Sequence, residues 1–299
     1  MTVQQRIQEN KREKNGVILA HNYQLPEIQD VADYVGDSLE LARIAARVDA
    51  ELIVFCGVRF MAETAKILAP SRKVIMPEYS AICPMAKMID APTVRSLRMK
   101  HPKAVFIAYV NTTAEVKAEV DYCITSANAV RVVESLPEGT EVVFLPDKHL
   151  GRYIEHETGM KVHIYEGFCP THSRILKEDI LLAREKWPNA LVVSHPECNQ
   201  GVLELSDHIT GTSGMLKFCS ENDAKEYIIA TEQGMLHRLR NETPDKIFYS
   251  PSELNICPNM KKTTIAKLLH AVETETVEVT VPEEIASKAI RSLEHMLVG

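Results

Sequence analysis

The chain repeats itself three times. Cys83 lies in AICPMAK, Cys169 in GFCPTHS and Cys257 in NICPNMK, each followed by proline. Each also follows a β-like segment that begins with lysine: KVIMP, KVHIY and KIFYS. The cysteines are 86 and 88 residues apart. Nearly the same steps separate the apolar runs VILAHNY (17–23), VFIAYVN (105–111) and LVVSHPE (191–197). They separate DYVGDS (33–38), DYCITS (121–126) and DHITGT (207–212) as well, and LIVFCG, EVVFLP and EYIIAT fill a further matching place. Agreement at four places identifies an internal triplication, with a two-residue deletion between Ser126 and Cys169 in the middle unit.

Each unit reads as strand, helix, short strand, helix, strand, helix, strand, with its cysteine in the loop that follows. The strands are short, β-branched and almost continuously apolar, as in a parallel sheet covered on both faces. SLELARIAARV (38–48), FMAETAKIL (60–68) and EDILLAREKW (178–187) carry apolar residues at helical spacing. The predicted class is α/β: three homologous three-layer αβα sandwich domains arranged with pseudo-threefold symmetry around a central site. The expected units are 1–84, 85–170 and 171–258. The tail, 259–299, reads as a helix (TTIAKLLHAV), a strand (VEVTV) and a last helix, and is expected to pack back on the first unit.

Composition narrows the function. A net charge of −7 argues against a nucleic-acid-coating protein or a binder of anionic membranes. The start, MTVQQRIQENKREKNG, is too polar for a signal peptide, and no apolar run reaches the ~18–20 residues that span a bilayer. Seven cysteines, an odd number, do not suggest a disulfide framework. These features predict a soluble, cytoplasmic protein. Cys56, Cys123, Cys198 and Cys219 read as structural.

In α/β folds, ligands gather beyond the carboxyl ends of the strands, and the aligned polar residues sit there. After the first strand come His21 and Tyr23, then Tyr109 and Asn111, then His195 and Glu197. The second place supplies Ser38, Ser126 with Asn128, and Thr212 with Ser213, natural N-caps whose helix termini can also bind anions. Lys261 and Lys262 either steer an anion or lie on a solvated face. The three Cys-Pro loops close the same pocket. They can hold zinc with His172 as a fourth ligand, or a [4Fe–4S] cluster with one iron lacking a cysteine. Ligands contributed one per unit suit a cubane on a symmetry axis better than a zinc finger.

With HNYQLPEIQDVADYVGDSLELAR, YVNTTAE, TSANA, HPEC and the three Cys-Pro loops in view, the chain resembles the quinolinate synthase family over essentially its whole length. The resemblance implies a [4Fe–4S] cluster on Cys83, Cys169 and Cys257. It implies condensation of iminoaspartate with dihydroxyacetone phosphate to quinolinate, with release of phosphate and water, in NAD biosynthesis. Substrate contacts are implied for His21, Tyr23, Ser38, Tyr109 and Asn111, and for Ser126, His195, Glu197 and Thr212. His172 is expected beside the cluster as a pocket residue. Where many members read Gly-Ser-Thr, this chain has Gly211-Thr212-Ser213. An L-aspartate oxidase or an aspartate dehydrogenase would supply the iminoaspartate. In this reading Tyr23 and Glu197 carry protons, His21 and His195 orient the carboxylates or neutralise the developing charge, and Tyr109 is a further catalytic residue. A zinc-dependent lyase or hydrolase on the same scaffold and a non-enzymatic iron–sulfur redox sensor are the alternatives.

Overall fold

The computed structural model describes residues 1–297. After α1 (Val3–Glu13), the first unit runs β1 (Gly16–His21), α2 (Pro26–Gln29), β2 (Tyr34–Gly36), α3 (Ser38–Arg47), β3 (Leu52–Cys56), α4 (Arg59–Leu68) and β4 (Lys73–Ile75). Next, α5 (Ala91–Lys100) leads into β5 (Val105–Tyr109), α6 (Ala114–Lys117), β6 (Tyr122–Ile124), α7 (Ala129–Glu134), β7 (Val142–Leu145), α8 (Lys148–Thr158) and β8 (Val162–Ile164). The third unit follows α9 (Lys177–Lys186) with β9 (Leu191–Ser194), α10 (Gln200–Leu203), β10 (His208–Ile209), α11 (Thr212–Glu221), β11 (Glu226–Ala230), α12 (Met235–Glu242) and β12 (Ile247–Tyr249).

The three sheets share one strand order, β2-β1-β3-β4, β6-β5-β7-β8 and β10-β9-β11-β12, with every pair parallel. Register repeats too: Leu19 pairs with Phe55, Ile107 with Phe144 and Val193 with Ile229. The expected α/β class with three parallel-sheet units is therefore observed.

A repeated aspartate explains part of this regularity. Asp33, Asp121 and Asp207 accept the backbone N–H of Ile18, Phe106 and Val192 at 2.7, 2.8 and 2.7 Å. Each also pairs with a cation from the helix preceding its sheet: Lys11, Arg98 and Arg184 respectively. A strand N–H left without an acceptor costs about 1–3 kcal/mol, so the first letter of DYVGDS, DYCITS and DHITGT ties each short second-strand segment to the first strand.

One hydrophobic core spans the first two units and includes Leu293 and Met296, whereas the third unit packs separate clusters on the two faces of its own sheet. The tail divides. Helix α13 (Ile265–Thr274) lies against α1, and α14 (Glu283–Leu297) lies against α3 and α4 as well as α6 and β6. Val298 and Gly299 lie outside the described residues. The predicted strand VEVTV shrinks to a single antiparallel bridge between Glu278 and Ile75. It meets the outer edge of β4, and the bridge consists of two backbone bonds, Met76 N to Val277 O and Val279 N to Val74 O.

Candidate active site

The residues expected to contact substrate, His172 and the three cysteines all line one cavity at the carboxyl ends of the strands, whereas Asn128, Ser213, Lys261 and Lys262 lie outside its lining. About 690 Å³ of space, open solvent included, lies between the residues that line it.

His21 and His195 follow β1 and β9 and have the same local geometry. His21 Nδ1 accepts the N–H of Tyr23 at 3.1 Å, and His195 Nδ1 accepts that of Glu197 at 3.3 Å. This bond places the ring proton on Nε2 in both. The Nε2 of His195 faces Ser126 Oγ of the second unit at 3.3 Å. Burial, with Lys261 nearby in the case of His21, holds both imidazoles down to about 3, so they are neutral donors at physiological pH.

Glu197 is the polar hub. His172 Nδ1 reaches its Oε2 at 2.6 Å, Asn111 Nδ2 its Oε1 at 3.5 Å, and the Tyr109 hydroxyl also hydrogen-bonds it. Burial alone would push the carboxyl up. The imidazoles of His172 and His195 and the bonds from His172 and Tyr109 outweigh it and hold Glu197 below the usual carboxylate range. The next shell continues from His172. Its Nε2 lies 2.8 Å from Thr231 Oγ1, which lies 2.7 Å from the Tyr23 hydroxyl.

The hydroxyl residues do not serve as N-caps. Helices α3 and α11 begin after Asp37 and Gly211, which puts Ser38 and Thr212 at the first helical position. The Asp37 carboxylate accepts the N–H groups of Leu39 and Glu40, both at 2.8 Å, and so fills the α3 terminus with a negative charge. Asn128 precedes α7, and its Oδ1 accepts from Thr125 N, not from the helix. Of the three helix termini expected to bind anions, that of α3 already holds a side-chain carboxylate in the place of an anion. Thr212 Oγ1 instead accepts from Asn22 Nδ2 at 2.8 Å, and Ser213 Oγ donates to Asp37 at 2.5 Å, joining the first and third units. Gly211 packs so closely that a β-carbon there would lie 2.6 Å from Ser126 Oγ.

Lys261 and Lys262 both hold protein oxygens, Lys261 in a partly buried place and Lys262 at the surface. Lys261 Nζ binds the Tyr23 carbonyl at 2.6 Å and Glu232 at 2.9 Å, and Lys262 Nζ binds the Ser80 carbonyl at 2.8 Å. No lysine or arginine is among the described residues lining the cavity.

The sequence reading missed Asp147 and Glu232. Both are fully buried, and they accept the N–H of Cys169 and Cys257 at 3.1 and 3.0 Å. Strand register makes them equivalent, since each stands five residues after the paired positions Val142 and Tyr227. That coincidence was available from the repeat alone. Burial and the charge of Glu197 push the Asp147 carboxyl well above its usual range.

The thiols of Cys83, Cys169 and Cys257 are close enough to influence one another, and burial raises all three, Cys83 to about 12. Three neighbouring, partly buried thiols ionise together only against a compensating cation, so this donor set fits a thiolate-bound metal centre. Cys198, by contrast, is buried and donates to the Ala230 carbonyl at 3.3 Å, as a structural thiol does.

Comparison with known families agrees. Residues 5–298 match the family model described as NadA, quinolinate synthetase A protein. The chain belongs to the quinolinate synthase family. A quinolinate synthase of Dehalococcoides mccartyi strain CBDB1 is 52% identical over 295 residues, 99% of this chain and 97% of that protein. One from Methanoregula boonei is 50% identical with the same coverage, and one from Thermodesulfovibrio yellowstonii is 48% identical over 288 residues. Quinolinate synthases are enzymes, and these relatives are matched along nearly their entire length. Among the described residues, no helix is long and apolar enough to cross a membrane.

Proposed function

We propose that this chain is a cytoplasmic quinolinate synthase that condenses iminoaspartate with dihydroxyacetone phosphate, releasing phosphate and water, with Cys83, Cys169 and Cys257 holding a [4Fe–4S] cluster. The domain limits that go with this reading fall at 84/85, 170/171 and 258/259. The observation that carries the catalytic assignment is one hydrogen-bond chain running from Tyr23 through Thr231 and His172 to Glu197.

The chain has a single consistent proton order. His172 Nδ1 faces two acceptors, Glu197 Oε2 at 2.6 Å and Cys169 Sγ at 3.2 Å, so it carries the hydrogen. Its Nε2 then accepts from Thr231, whose oxygen accepts from Tyr23. Burial raises the Tyr23 phenol well above its ordinary value, so it keeps its proton until a base develops in the cavity. That order runs from Tyr23 toward Glu197, so a proton that Tyr23 gives into the chain arrives at Glu197 through two intervening groups, and the pair can exchange acid and base roles during an isomerisation followed by dehydration.

The anionic groups of the substrates meet neutral donors: the Nε2–H of His21 and the hydroxyls of Ser38, Ser126 and Thr212. Such preorganised dipoles stabilise developing charge without the cost of a buried lysine or arginine. The cluster, when bound, supplies a Lewis-acidic iron without a cysteine ligand, open to an oxygen of the substrate. An L-aspartate oxidase or aspartate dehydrogenase is the class of partner that would supply the iminoaspartate.

A zinc-dependent lyase is the second reading. It draws on the proximity of Cys169, His172 and Glu197, whose ligand atoms lie within 4.8 Å of one another. Iron, acid-labile sulfide and zinc per chain on anaerobically purified protein separate the two. About four irons and four sulfides, abolished in Cys169→Ala, support the cluster, and quinolinate formation is then assayed directly. About one zinc without sulfide overturns it.

A further inference from the structure

The amino ends of the second unit's strands carry a group of side chains that the cavity chemistry leaves unused. His101 ends α5, Glu141 immediately precedes β7, and His163 is the middle residue of β8. Glu141 Oε1 lies 2.7 Å from His101 Nδ1 and 3.0 Å from His163 Nε2. The two imidazole rings are 4.3 Å apart and tilted by 41°. One nitrogen from each ring and the carboxylate oxygen all lie within 4.8 Å of one another. The side chains are partly exposed, between 26% and 40%, which leaves an approach from solvent and room for water ligands.

The repeat supplies an internal comparison. Strand register places Leu52 and Glu226 level with Glu141, and Ile75 and Tyr249 level with His163. Trp187 ends α9 as His101 ends α5. In the third unit, the Tyr249 hydroxyl donates to Glu226 Oε2 at 3.1 Å while Trp187 stacks on Tyr249 at 4.1 Å and 9°. The scaffold therefore accepts an aliphatic pair in one unit and an aromatic stack in another. Folding does not demand imidazoles at this place, yet the second unit turns two of them onto a single carboxylate. The hydrogen bond from His101 also holds the Glu141 carboxyl below its usual range.

We propose that His101, Glu141 and His163 bind a divalent transition-metal ion of the zinc type, at a site separate from the three-cysteine centre. Two imidazole nitrogens and one carboxylate form a donor set that zinc accepts with water in the remaining position. Calcium and magnesium, which take six or more oxygen ligands, are poorly served by it. The ion would staple the end of α5 to β7 and β8, at the sheet edge opposite the cavity.

The test is equilibrium dialysis of the anaerobically purified, iron-loaded enzyme against micromolar zinc, with zinc and iron counted per chain. The wild-type chain is expected to take up one zinc without losing iron. The double variant His101→Trp/His163→Tyr copies the third unit's arrangement, and it should keep its iron and bind this zinc at least 10-fold more weakly. Glu141→Gln removes the anionic ligand with the least change of shape and should also weaken binding at least 10-fold. Absence of a zinc equivalent in the wild-type chain overturns the proposal. So does undiminished binding in both variants, or uptake that disappears in Cys169→Ala and persists in the histidine variants.

Discussion

His172 Nδ1 lies 2.6 Å from Glu197 Oε2, and neither side chain is more than 3% exposed. An imidazole and a carboxylate so close and so dry act as one proton-holding unit. Removing the charge from one member leaves the other without its partner, which makes the pair a sensitive place to probe the chemistry.

Glu197→Gln keeps the shape and the hydrogen-bonding contacts with Asn111 and Tyr109 but removes the proton acceptor. Turnover should fall about 10²–10⁴-fold, the usual range for losing an acid–base group, while iron content and ligand binding persist. Near-normal kcat in a variant with full iron would remove Glu197 from proton transfer.

Asp147 links two structures: its Oδ1 caps α8 through Leu150 N at 2.8 Å, and its Oδ2 accepts from Cys169 N at 3.1 Å. In Asp147→Ala both bonds go. The lost cap should cost about 1 kcal/mol of stability. Because outer groups that position ligands typically change metal affinity about 10–100-fold, iron should pass to a chelator faster by a similar factor. Asp147→Asn, which retains one acceptor oxygen, should lie between. Equal iron retention in all three proteins would show that the Cys169 loop needs no such support.

The two neutral histidines make stability depend on pH. Their folded values near 3 lie below the unfolded value of 6.5, so the unfolded chain binds more protons in the interval between them. Their contribution is complete above pH 6.5 and is lost as the pH falls toward 3, at up to about 1.4 kcal/mol per pH unit for each. The urea midpoint should therefore drop between pH 7 and pH 5, and it should drop less in His21→Asn/His195→Asn. A variant with the wild-type slope would mean that these imidazoles are not held neutral.

Gly211 adopts an ordinary backbone conformation, φ −71°, so only space constrains it. In Gly211→Ala the new methyl would lie 2.6 Å from Ser126 Oγ, so that hydroxyl must rotate away from its place 3.3 Å from His195 Nε2. The stability cost is expected to be small, while KM rises because the Ser126 hydroxyl leaves its place at the cavity. Because Ser126→Gly by itself removes the same hydroxyl, adding Gly211→Ala to it should raise KM no further, which would confirm the steric origin. Additive losses would refute it.

Much of this protein was legible in its sequence because folding at short range is written in periodicity. The expected helices 38–48, 60–68 and 178–187 appear as Ser38–Arg47, Arg59–Leu68 and Lys177–Lys186. The common strand order follows from a repeat whose buried strands carry apolar side chains on both faces. Even the gathering of Cys83, Cys169 and Cys257 at one cavity follows from placing one loop per unit around an axis. The equivalence of Asp147 and Glu232 was present in the same alignment and would have been found by asking which acids recur at strand ends.

What tertiary structure alone decided is how residues from different units meet. Ser38 and Thr212 look like N-caps in sequence, yet backbone torsion angles shift the cap to Asp37 and Gly211, which frees both hydroxyls to face the cavity. VEVTV has strand propensity but meets only the edge of the short strand β4, too little backbone to build a ladder. The contacts of Tyr23 with Thr231, Ser126 with His195, and Asn111 with Glu197 span 208, 69 and 86 residues. Periodicity encodes which face of an element is buried. The distances between units are set by their packing against one another, and a hydrogen bond lost beyond about 3.5 Å depends on those distances.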